Sequence, residues 1–96
     1  MVVTFHEAAR SEISEAVVFY NHQSPGLGDA LASEVRVAVA KIIANPDAGF
    51  TVRPSIRRHL LGRFPYSVLY TATAERLQVL AVMHHRRRPG YWEDRA

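Results

Sequence analysis

The stretch LQVLAVMHHRRRPGYW, Leu77 to Trp92, decides how this chain is read. Its first part, Leu77 to Met83, is apolar apart from Gln78. Apolar side chains on both faces are what a central strand needs when both of its faces are covered. Two histidines, three arginines and two large aromatics then follow, from His84 to Trp92. An interior strand thus carries a basic, aromatic segment out of the middle of a sheet to its edge.

Working upstream, Ala72 to Arg76 reads as a hairpin turn, and Tyr66 to Thr71 alternates with Tyr66, Val68 and Tyr70 on one face. Gly62 to Pro65 is a turn, and Ile56 to Leu61 is a further strand. Pro46 to Pro54 reads as a loop. Before it, Leu31, Val35, Ala38 and Ile42 repeat at helical spacing, and the helix stops at Asn45-Pro46 because proline cannot continue the ladder. An earlier helix starts near Phe5 or His6 and ends around His22 or Gln23, with Ala9, Ile13, Ala16, Val17 and Tyr20 on its apolar face. Thr4 and Glu7 stand in capping-box spacing at its start, and Glu7, Glu12 and Glu15 fall on or near the polar side. The turn Ser24 to Gly28 joins the two helices into an antiparallel hairpin, with Ser24-Pro25 suited to capping the second. Val2 to Phe5 is a first strand. The expected fold is one α+β domain over residues 1–96, in the order β-α-α-β-β-β. Its αα-hairpin packs on one face of a mainly antiparallel four-stranded sheet.

Composition narrows the function classes. A chain of 96 residues, 48% of them hydrophobic, can bury one modest core. It has no cysteine, so neither disulfides nor thiolate metal sites hold it together. A reducing cytoplasm is the expected setting. The opening MVVTFHEAAR lacks a basic n-region, so no ordinary secretory signal is expected, and no apolar run approaches the roughly 18 residues that span a bilayer. The net charge of +3 is unevenly spread. From Met1 to Val52, three basic residues against six acidic ones leave −3; from Arg53 to Ala96, nine arginines against three acids leave +6. Lys41 is the only lysine. Arginine is favoured where planar contact with phosphate or carboxylate matters, so the basic half points to an anionic partner. Genomic preference for arginine accounts for part of the Lys/Arg ratio but not for the clustering.

The element order, the turn SPGLG at Ser24 to Gly28, RFPYSVLY at Arg63 to Tyr70 and VMHHRRRPGYW at Val82 to Trp92 together resemble the RelE/ParE superfamily of bacterial type II toxin–antitoxin modules. The strand start FPY and the H-x-R-R-x-P-x-x-W ending bring the resemblance closer to the ParE-like branch, over nearly the whole chain. It implies a growth-inhibiting toxin neutralised by a cognate antitoxin, whose acidic, helical segment wraps the toxin in a hetero-oligomer. ParE-like members inhibit DNA gyrase and block replication; RelE-like members cleave messenger RNA at the ribosome. No cofactor or membrane partner is implied.

The tail residues bear on both activities. Metal-free RNA cleavage needs a base, an acid and cations for the phosphorane. His84 or His85 suits proton transfer, Arg86, Arg87 and Arg88 suit phosphate, and Tyr91 or Trp92 can stack a base. The catalytic candidates are therefore His84, His85, Arg87 and Tyr91. Target- or nucleic-acid-binding candidates are Arg58, Arg63, Arg86, Arg87, Arg88 and Trp92. Against a nuclease stands Ser67: the resemblance implies an arginine there in RelE-like nucleases. A non-toxic nucleic-acid-binding module stays open beside both. Adjacent strand histidines point to opposite faces, so at most one of His84 and His85 serves a given site, and no metal site is expected. By the same alternation one of Arg57 and Arg58 is expected to face solvent. Tyr66 and Tyr70 are expected against the helical hairpin or a partner. The plainest expectation for Trp92 is a lid over the sheet edge, with Arg95 pairing with an acid such as Glu93 or Asp94. Val18, Phe19 and Val37 lie beyond one apolar stripe and suit contact with a partner, the antitoxin or a second copy.

Overall fold

The computed structural model describes residues 1–96. Strand β1 (Val2–Phe5) leads into helix α1 (Glu7–Gln23). The cap of α1 is His6, whose Nδ1 accepts the Ala8 N–H at 3.1 Å; Glu7 is the first helical residue, so the expected Thr4–Glu7 box is not the device used. Helix α2 (Leu27–Ala44) starts after Gly26, whose φ of 88° needs a residue without Cβ, and ends just before Asn45-Pro46. Gly28 is where the two helices close on each other. A Cβ there would lie 2.1 Å from the Val17 carbonyl oxygen, and the Gly28 N–H donates to Asn21 Oδ1 at 2.8 Å.

Four strands follow: β2 (Phe50–Arg53), β3 (Ile56–Leu60), β4 (Tyr66–Ala72) and β5 (Arg76–His84). The sheet has five strands in the order β1-β5-β4-β3-β2. Strand β1 runs parallel to β5, and all other pairs are antiparallel. The α+β hairpin-on-sheet architecture is as expected, with one strand more: Phe50 to Arg53, expected in a loop, pairs with β3. As expected, β5 is interior, between β1 and β4.

Two cores result. The main one lies between the hairpin and the sheet, where Leu31, Ile42, Val68, Tyr70, Leu77 and Val79 are fully buried. The second lies on the helix-free face and joins Ile56, Leu69, Leu80, Ala81, Met83 and Trp92. Strand β5 serves both through a bulge. Leu69 stands opposite Ala81 and Tyr70 opposite Val79, so Leu80 is the extra residue, and the inward set shifts from Leu77 and Val79 to Val82. No helix is long and apolar enough to cross a membrane.

Candidate functional site

The end of β1 leaves one side of β5 uncovered. His6 N–H still bonds the Val79 carbonyl, but beyond it the ladder has no strand. Glu12 and the chain's last residues complete it. Glu12 Oε1 accepts the Val82 N–H at 3.0 Å, and Arg95 donates to the Leu80 carbonyl at 3.1 Å. The same Arg95 nitrogen pairs with Glu12 Oε1 at 2.9 Å, and the Tyr91 hydroxyl donates to Glu12 Oε2 at 2.6 Å. The Glu12 and Arg95 side chains are only 12% and 14% exposed, so this pair is largely desolvated. Burial first, then the bond to Glu12, pushes the Tyr91 phenol well above its usual range. Glu12 therefore faces inward, not along the polar side expected, and Arg95 pairs with it instead of Glu93 or Asp94. Glu93 pairs with Arg53.

This clamp sets the path of the basic tail. Gly90, with φ 79°, turns the chain so that Trp92 enters the second core. Trp92 is 4% exposed: it is a core residue of the helix-free face, not an edge lid. The Arg53 guanidinium lies 5.6 Å from its ring centroid. The Arg87 guanidinium stacks on Tyr91 at 4.0 Å.

His84 and His85 part to opposite faces. His84 lies on the helix side, edge-on to Tyr66 at 5.0 Å, and its Nδ1 accepts the Arg86 N–H at 3.0 Å. Burial, and then the charges of Arg86 and His85, lower its pKa below the usual imidazole value. His85 lies on the helix-free face. Its Nε2 is 2.9 Å from the Ser67 hydroxyl, which also accepts Arg58 Nε–H at 2.9 Å. Ser67 is fully buried, so Arg58, Ser67 and His85 form a chain of hydrogen bonds across β3, β4 and the end of β5. Arg58 also lies over the Phe50 ring at 5.8 Å.

Arg58, His85, Arg87 and Trp92 line one cleft of about 180 Å³, together with Arg53. Arg53 was not among the sequence candidates, and it comes from the unforeseen strand β2. Arg86 and Arg88 are exposed on the turn beside it. His84 and Tyr91 line a separate recess of about 100 Å³ under α1, so the four catalytic candidates do not form one constellation; only Arg87 borders both spaces. Arg63 is elsewhere, stacked on Phe64 at 5.4 Å, with its backbone N–H bound to Glu34 on α2. Arg57 is not idle either: it donates to the Gly49 carbonyl at 2.7 Å and pairs with Asp47. Tyr66 and Tyr70 face the helical side as expected, and the Tyr70 hydroxyl donates to the Pro46 carbonyl at 2.7 Å.

Comparisons with known proteins follow the same outline. A family profile described as "ParE toxin of type II toxin-antitoxin system, parDE" matches residues 3–89. Among solved structures, the chain is similar to one described as "Chromosomal ParDE TA system from P. aeruginosa". Its TM-score is 0.75 at 19% identity, over 88% of this chain and 95% of that one; at such identity the likeness concerns the fold. Comparison with curated proteins gives no match. Matched from β1 to Pro89 in the tail, this chain belongs to the ParE toxin family of type II toxin–antitoxin systems.

Proposed function

We propose that this ParE-like toxin inhibits growth by binding DNA gyrase and blocking replication, and that it cuts no RNA. The observation that carries the reading is Ser67. Where the RelE-like pattern has a catalytic arginine, this chain has a fully buried hydroxyl held between Arg58 and His85. The guanidinium beside this hydroxyl belongs to Arg58, whose Nε–H is already committed to it. The remaining acid–base candidates are split between two faces of the sheet, which leaves the cleft with cations but one histidine. Cations suited to an anionic surface support recognition; they do not by themselves supply proton transfer at neutral pH.

A cognate antitoxin is the partner that a toxin of such a module requires. We infer that its helical segment covers the hairpin, where Val18 and Phe19 on α1 are 58% and 57% exposed and Val37 on α2 is half-exposed. The test of the target is direct. Purified toxin should inhibit supercoiling of relaxed plasmid by DNA gyrase and leave ribosome-bound messenger RNA intact. Cleaved message with unimpaired supercoiling contradicts the reading and moves His85 and Arg87 to catalytic roles.

A further inference from the structure

The cleft on the helix-free face is rich in hydrogen-bond donors. Arg53, Arg58, His85, Arg87 and Trp92 line it, and its floor includes the core residues Leu69 and Met83. Glu93, through its pair with Arg53, is the one carboxylate tied to these groups. Three guanidiniums against one carboxylate leave a formal +2 around this small space. Arg58 uses its Nε for Ser67, which aims the side chain and leaves its terminal nitrogens for another acceptor. Trp92 adds a second kind of observation. Its Nε1 is the one buried side-chain polar atom of the chain without a hydrogen-bond partner. An unpaired buried donor is costly and calls for an acceptor, such as an ordered water or a bound ion.

We propose that this cleft binds a phosphate monoester: a terminal phosphate, entered end-on between Arg53, Arg58 and Arg87. A monoester carries about −1.5 to −2 charge at pH 7 and three acceptor oxygens, which matches the net charge and the donors of the cleft. Guanidinium forks bind such tetrahedral oxyanions through paired N–H groups. A diester carries a single charge and a substituent on each side, so it suits neither the +2 charge nor a short recess closed at its floor by Leu69 and Met83. The phosphate can belong to a free nucleotide or to the end of a nucleic-acid strand, since both present the same group. This binding does not depend on which target the toxin arrests.

The test is an NMR titration of the whole ¹⁵N-labelled chain with methyl phosphate and with dimethyl phosphate. Methyl phosphate should shift the Trp92 indole N–H and the amides around His85 to Gly90, and should bind at least about tenfold more tightly than the diester. Arg87→Gln, at an exposed position that leaves both cores intact, and Arg58→Gln should each weaken it by about tenfold. Arg36→Gln, on the exposed side of α2 across the sheet, should change nothing. Adenosine 5′-monophosphate and a 5′-phosphorylated trinucleotide then separate the sources. Tighter binding of either supports the proposal and names its source, whereas a 5′-hydroxyl trinucleotide that binds as well overturns it. So does failure of methyl phosphate to bind, equal affinity for dimethyl phosphate, or wild-type affinity in folded Arg87→Gln.

Discussion

Glu12 is the residue on which the tail's position rests. One carboxylate satisfies the Val82 N–H, the Tyr91 hydroxyl and Arg95, three donors brought from two other segments. Because the pair with Arg95 is mostly out of water, removing one partner strands the other. Glu12→Ala is therefore expected to lower stability by about 2–4 kcal/mol in urea unfolding, while Tyr91→Phe, which removes one bond, costs about 1 kcal/mol. Equal effects would mean that the Arg95 pair contributes little. The residue types in the tail pointed to an anionic partner, but the role of Glu12 was harder to read. Glu12 stands three residues after Ala9 and four before Ala16, the two buried residues of α1, so its spacing does place it on the inward side. An acid is ordinarily assigned to solvent, and only a desolvated partner from the far end of the chain reverses that. Ser67 is similar: an alternating strand marks it as facing away from Tyr66 and Val68, but not as the link between Arg58 and His85.

Among elements, the hairpin was readable because two long periodic segments are punctuated by SPGLG and by Asn45-Pro46. The packing of that hairpin turns on Gly28, where a methyl group meets the Val17 backbone carbonyl, which cannot swing aside, as well as the Asn21 side chain. Gly28→Ala is expected to force the helices apart and destabilise the chain by about 1–3 kcal/mol in thermal or urea unfolding. An unchanged midpoint would show that the hairpin shifts freely. Strand β2 escaped sequence reading because Phe50 to Arg53 is four residues long, lies between Gly49 and Pro54, and is too short to display a period. Its absence from the sequence reading also hid Arg53, and with it the third guanidinium of the cleft. The bulge at Leu80 was hidden for a related reason: a strand apolar on both faces carries no alternation whose break could be noticed. Which arginines meet is set by strand register and by this bulge, so Arg58 and Arg87 could be named but not placed together, and Arg63 could not be set apart from them.

For the whole molecule, the division of charge becomes a division of surfaces. The acidic first half forms the hairpin, with its exposed Val18 and Phe19, and the arginine-rich second half forms three of the five strands and supplies every cation of the cleft on the helix-free face. On the proposed function one face receives an antitoxin helix and the other an anionic target, and the Glu12 clamp ties the tail of the second to the first helix of the first. The toxin, on the same proposal, arrests replication by binding and leaves messages uncut. Tightly controlled induction in bacteria, with pulse labelling of DNA and protein synthesis in parallel, tests it most directly. DNA synthesis is predicted to stop first while protein synthesis continues; an earlier stop in protein synthesis would contradict the claim.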